Sequence, residues 1–492
     1  MKKSVLSAAF LFMIALSSAQ VRDYNPQVQP TERLQYFKPV ENHLFPGDCM
    51  PYNHNGTFYL YWLLDEGHHS GLGGLGGHQW ALSTSEDLVH WKHYPVALGI
   101  DEEWEKSICT GSVIVEDGKF YAFYSTRVVG DGRVQEQLSY AISEDGGKTY
   151  IKQQPNPFYT APAECVSRDF RDPKVFKDKD GKFHLFVSGY RKSPEISGFG
   201  GYLVHLVSDD LKNWTETVPV LDGQVAVPEC SDYFEWNGWY YLIYSTGSDT
   251  YYVMSRKPYG PWQYPPSQPF VESWANVYKT ALANDGRRIA VAFIPGKWNN
   301  KDNEGGVFGG NILFREVGQK KDGTLYTRFL PEVLPRMIEV KNPVVRMSDK
   351  NGIVESAGMV KLDAANGTQA AFMENLPENY RLTMDVVPRG NYDEIGLFLR
   401  ASVRNNNRGY KFELNANKRL VLLQNTLIYG VDGLDKPVKL DIIVKGDIID
   451  ANIDGRRCIV NRLPEQKGRD LYFFTKNGNS VFKNIRLYKI EE

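Results

Sequence analysis

Val227-Pro228-Glu229-Cys230-Ser231-Asp232-Tyr233-Phe234-Glu235-Trp236-Asn237-Gly238-Trp239-Tyr240-Tyr241-Leu242-Ile243 reads as a strand, a two-residue turn and a second, aromatic-rich strand. An Asn-Gly or Asp-Gly pair between two apolar runs is a strong hairpin signal, because the tight turn needs positive φ at both central residues. The same turn recurs at Asn55-Gly56, Asp117-Gly118, Asp180-Gly181 and Asp285-Gly286, the glycines 48 to 63 residues apart. An alternating strand follows each one, as in Phe58-Tyr59-Leu60-Tyr61 and Phe183-His184-Leu185-Phe186. A Ser-x-Asp turn and an aromatic edge then follow, as in Ser85-Glu86-Asp87 before Trp91, Ser143-Glu144-Asp145 before Tyr150, and Ser208-Asp209-Asp210 before Trp214. One repeat thus supplies four strands. Five such repeats predict a five-bladed β-propeller over residues 20–335.

Beyond Leu330 the repeat stops. Pro331, Pro335 and Pro343 mark a connecting segment with one candidate strand, and residues 336–357 are taken as a linker. From 358 to 492 short alternating strands recur at 380–387, 394–401, 410–414, 440–445, 448–453, 471–475 and 481–489. That density predicts a β-sandwich, making the chain all-β. With no carboxylate constellation of its own, the sandwich is expected to buttress the propeller. At the other end, Lys2 and Lys3 precede an apolar run and Ser17-Ser18-Ala19, so residues 1–19 read as a signal peptide. The protein is therefore expected to be exported, periplasmic or secreted.

The formal net charge is −2 and no basic run occurs, so nucleic acid is not an expected partner. No later stretch is long and apolar enough to predict membrane insertion. The five cysteines, Cys49, Cys109, Cys165, Cys230 and Cys458, include no C-x-x-C spacing and read as buried free thiols. Residues 67–78, Gly-His-His-Ser-Gly-Leu-Gly-Gly-Leu-Gly-Gly-His, lack the ending of a phosphate loop and read as a mobile surface loop near the pocket. A histidine metal site there is disfavoured, because flexible glycine gives poor ligand geometry.

In a propeller the first strand of each blade lines the axis. Asp48, Thr110 and Tyr278 each lie eight residues before a turn glycine, and Asp172 and Glu229 lie nine before theirs. Three acidic residues at one end of a channel is a costly arrangement, since like charges repel and raise one another's pKa. It suits glycoside hydrolysis or a calcium site. Hydrolysis needs one ionised and one protonated carboxyl. Arg171 beside Asp172 favours a charged Asp172, and Glu229, between Pro228 and Cys230, is the better proton donor.

Arg171-Asp172-Pro173 and Glu229-Cys230, on a five-repeat propeller with a trailing β-sandwich, resemble glycoside hydrolase family 32, the β-fructosidases. The resemblance implies Asp48 as nucleophile, Glu229 as general acid/base and Asp172 as transition-state stabiliser. It also implies a retaining mechanism with carboxyls about 5–5.5 Å apart, and no metal or cofactor. Arg171, Trp80, Thr110, Cys230 and Tyr278 are the expected contacts to an oligo- or polysaccharide such as sucrose, levan or inulin. The sugar-contacting motifs depart from the family pattern. Gly47-Asp48-Cys49-Met50-Pro51 stands for Asn-Asp-Pro-Asn-Gly, and Cys109-Thr110-Gly111-Ser112 for aromatic-Ser-Gly-Ser. Trp80-Ala81-Leu82 stands for Trp-Gly-His, with His78 displaced upstream. A propeller glycosidase for arabinose or xylose glycans, a non-catalytic sugar binder and a fructosyltransferase stay open.

Overall fold

The computed structural model of the chain describes residue 24 and residues 31–247, 249–266, 270, 274–341, 343–347 and 358–491; the expected signal peptide lies outside the described residues. Three of the turns have the expected backbone. Asn55, Asp117 and Asn237 take φ of 47°, 49° and 50°, each followed by a positive-φ glycine. They close two-residue hairpins with pairs His54↔Thr57, Glu116↔Lys119 and Trp236↔Trp239. At Asp180-Gly181 and Asp285-Gly286 only the glycine is left-handed. The loops there are longer, closed by Lys177↔Phe183 and Leu282↔Arg288.

Five antiparallel sheets follow one another along the chain, each beginning with its hairpin. Their first strands are Leu44–His54, Ser107–Glu116, Arg171–Lys177, Glu229–Trp236 and Asn276–Leu282. Each of these strands touches the next, and the fifth touches the first, so they line a closed ring. The Ser-x-Asp motifs turn the third strand into the fourth. Asp87 Oδ1 accepts the Val89 and His90 amides at 2.8 Å, and Asp210 Oδ1 takes the equivalent amides of Lys212 and Asn213. The aromatic residue after the turn packs on a neighbouring blade: Trp91 against Phe314, Trp214 against Phe123. The fold is the expected five-bladed propeller.

The ring's seam, between blades one and five, is stitched by the segment before blade one. Thr31–Glu32 pairs with the outer strand of blade one. A few residues on, the Tyr36 amide donates to Ile312 O at 2.8 Å and the Gln35 amide to Val333 O at 3.2 Å.

The C-terminal sheet wraps a single apolar core as a β-sandwich-like unit, organised on one long strand, Asp470–Ile490. The sequence split that strand in two and left out Met359–Met373, its longest neighbour. Two strands of this sheet, Met337–Val340 and Val345–Met347, fall within the stretch read as a linker. The unit packs on blade five: Ile443, Ile448 and Val460 share a core with Leu313, Val317 and Phe329. At its centre Arg315 Nη2 meets Asp450 Oδ1 at 2.7 Å, both side chains fully buried. The Tyr36 hydroxyl donates to Asp450 Oδ2 at 2.8 Å.

Candidate active site

All five inner strands slip register at the same level. The shifts fall between Pro46 and Cys49, Ile108 and Gly111, Arg171 and Lys174, Glu229 and Asp232, and Asn276 and Lys279. Each is a bulge, and a bulge re-aims side chains. Asp172, Cys230 and Val277 occupy the same place in three of them with φ of 60°, 53° and 52°. Left-handed backbone is unfavourable for a β-branched valine and is held only by its surroundings.

The bulge register corrects the counting from turn glycines. Asp48 is equivalent to Thr110 and Tyr278, whereas Asp172 sits one place earlier, with Cys109 and Cys230. Glu229 is one place earlier again, with Arg171 and Asn276. The three carboxylates come from three successive levels of the bulge, not from one. They still meet, lining a cavity of 220 Å³ at the ring's axis.

Cys230 ties them together. Its amide donates to Asp172 Oδ2 at 3.1 Å, its thiol lies 3.5 Å from Asp48 Oδ2, and Glu229 precedes it in the chain. The Thr110 hydroxyl donates to Asp48 Oδ2. Arg171 Nη2 lies 2.6 Å from Glu229 Oε1, while its Nε is 3.8 Å from Asp172. Arg171 is thus chiefly the partner of Glu229, contrary to the expected pairing with Asp172. Burial pushes the Asp172 carboxyl up to about 7; Arg171 opposes this, and Glu229 and Asp48 reinforce it. Burial also raises Asp48, against hydrogen bonds from Thr110 and Cys230, and raises Glu229, against Arg171. With all three carboxyls above their ordinary range and Glu229 partly solvent-exposed, the site can keep a carboxyl protonated for release to a leaving group.

Of the expected contacts, Arg171, Thr110 and Cys230 line the cavity; Trp80 and Tyr278 do not. Trp80 is fully buried behind the wall, its indole N–H donating to Cys109 O at 2.8 Å. Tyr278 is fully buried in the core shared with the C-terminal sheet. Blade five instead presents Asn276, whose Oδ1 is buried without a hydrogen-bond partner among the described residues. Four charged residues escaped the sequence reading. Arg127 and Glu136, paired at 2.9 Å, come from the second and third strands of blade two and adjoin Arg171. Lys174 and Lys279 form the level below the carboxylates. Lys174 Nζ meets Asp232 at 2.7 Å, and Lys279 Nζ donates to Gly111 O at 3.0 Å and draws down the pKa of Asp48 and Asp172.

The glycine-rich insertion is not simply a surface loop. His78 is buried and His69 half-buried, and both line the cavity with Asp48. Burial depresses His78 to about 4. The five cysteines are all buried and none forms a disulfide among the described residues, as expected. An open groove of 960 Å³ continues outward, sharing Arg127, Glu136, Arg171 and Glu229 with the cavity.

Comparison with known proteins agrees with this geometry. Residues 45–322, more than half of the chain, match the glycosyl hydrolases family 32 N-terminal domain. A levanase of Bacillus subtilis is 30% identical over 242 residues, 47% of this chain, which span only 32% of that protein. A levanbiose-producing levanase of the same organism is 24% identical over 483 residues, covering 88% of this chain and 86% of its own length. Among solved structures, exo-inulinase from Aspergillus awamori superposes with a TM-score of 0.69 at 18% identity, over 95% of this chain and 100% of that one.

Proposed function

Since the chain is a glycosidase of family 32, we propose that it is a retaining β-fructosidase that removes terminal fructosyl units from sucrose or a fructan such as levan or inulin. The observation that carries this reading is the meeting of Asp48, Asp172 and Glu229 on one cavity with room for a single sugar ring, opening into a longer groove. A closed end for the terminal unit and a groove for the departing chain fit attack from the chain end.

In the first step an Asp48 carboxylate oxygen bonds to C2 of the fructosyl unit as the bond from C2 to the leaving oxygen breaks. Glu229 gives its proton to that oxygen. In the second step Glu229, now ionised, takes a proton from water, whose oxygen bonds to C2 and frees Asp48. Asp172 and Asn276 hold ring hydroxyls. Arg171 fits Glu229 for both steps: its guanidinium stabilises the ionised form left after proton donation. Residues 1–19 support an exported enzyme.

The test is sugar release by the purified protein from sucrose, inulin, levan and an arabinan/xylan panel, with Glu229→Ala as control. Fructose should be the only early product from inulin and levan and should be matched by an equal amount of glucose from sucrose, and Glu229→Ala should lose several orders of magnitude in kcat. A ladder of oligosaccharides would replace terminal with internal attack, and pentose release would overturn the fructosyl reading.

A further inference from the structure

Three side-chain atoms converge in the cavity wall beside Asp48. His69 Nδ1 lies 2.7 Å from His78 Nε2, His78 Nε2 lies 3.0 Å from Asp65 Oδ1, and His69 Nδ1 lies 3.6 Å from the same oxygen. We propose that Asp65, His69 and His78 form a site for one divalent transition-metal ion of the zinc class, with a further coordination position open to the cavity for a substrate hydroxyl.

The donor set is two imidazoles and a carboxylate, which suits zinc, and three protein ligands are what an open site uses. Ligand atoms around a tetrahedral zinc ion stand about 3.3 Å apart, given bonds of about 2.0–2.1 Å. The three separations bracket that value. Protons satisfy the same triangle poorly. If both rings carry a proton toward Asp65, two N–H donors face each other at the 2.7 Å contact. If His69 donates to His78, the His78 lone pair is used and the Asp65 oxygen faces a nitrogen with no proton to give. If His78 alone carries the proton, that one proton is divided between Asp65 Oδ1 at 3.0 Å and the His69 lone pair at 2.7 Å, and the two acceptors face each other. A cation serves all three at once.

The wall is built to hold these atoms. Asp65 is fully buried, and both its oxygens accept the His69 amide, at 3.1 and 3.3 Å. Phe308 stacks on both imidazoles, with centroids 4.4 Å from His69 and 5.0 Å from His78. The backbone turns left-handed at Gly67, His68 and His69 in succession, which brings His69 back over Asp65. Asp65 lies at the end of a strand of blade one and His78 at the edge of the next, so two of the three ligands stand on framework; Gly67 helps to place His69, and the glycines after Ser70 only span the gap. The expectation against a histidine metal site in residues 67–78 rested on those glycines, while the absence of a metal from the reaction was implied by the family resemblance.

The full-length protein, stripped with dipicolinate and dialysed, is titrated with Zn²⁺ by calorimetry and scanned for thermal unfolding. One equivalent per chain should bind at micromolar Kd or tighter and raise Tm. His69→Ala, at a half-exposed position, should weaken binding by about a hundredfold or more and abolish the Tm rise. Asp65→Asn and His78→Gln should do likewise. Absence of stoichiometric binding to the wild type would overturn the proposal, and so would undiminished binding in His69→Ala, which needs no fructosidase activity to be read.

Discussion

Asp172 carries the site's electrostatic strain. It is buried, left-handed, and flanked by two other carboxyls, and its own carboxyl is pushed up to about 7. An acid whose folded pKa exceeds its unfolded value of about 3.9 stabilises the fold most below that value. That contribution is lost as pH rises through about 7. Asp172→Asn should therefore melt above the wild type at pH 8, with the difference shrinking toward pH 4, while activity falls by orders of magnitude. A variant that melts lower at pH 8 would contradict the burial argument. Asp48→Asn should be inactive yet cooperatively folded, and turnover near that of the wild type would end its assignment as nucleophile. These residues were legible because each lies a few residues from a hairpin turn that announces itself. Glu136 and Arg127 were not, since nothing local in the sequence says that a second or third strand also reaches the axis, and Asn276, on a first strand, was missed because counting from the turn selects Tyr278 two places on. Trp80 and Tyr278 misled because family motif and spacing locate a residue along a strand without saying which way its side chain points.

At the scale of the element, the repeated bulge makes the site. A regular strand alternates its faces, so neighbouring residues cannot share one cavity. The bulge breaks this alternation in every blade, allowing Arg171 and Asp172, or Glu229 and Cys230, to face the axis together. Hydrophobic alternation carries no mark of a one-residue slip, which is why counting from the turns merged three levels into one. The level beneath is cationic, and Lys279 offsets the carboxylates above it. Lys279→Met should raise the Asp48 pKa further, moving the acid limb of kcat/KM upward by about one pH unit. An unshifted profile with normal folding would show that Lys279 only fills space.

At the scale of the molecule, the C-terminal unit is part of the propeller's support. The buried Arg315–Asp450 pair joins the two, and Asp450→Ala should cost about 3–5 kcal/mol by leaving a buried guanidinium uncompensated. Replacing both residues by apolar ones should restore much of that loss, measured by denaturant unfolding. The sequence predicted this buttress from the absence of a site in the sandwich, though the connecting segment's share in the sheet was hidden by its prolines. The stitched seam has a further consequence, in time rather than space. Arg33 reaches the carbonyl of Leu334 across 301 residues of chain, so ring closure is a contact of very high sequence separation. Hairpins form fast from local contacts, whereas such closure is slow. Until blade five has been synthesised, blade one keeps an unpartnered flank, and the newly made chain is most exposed to aggregation during that wait.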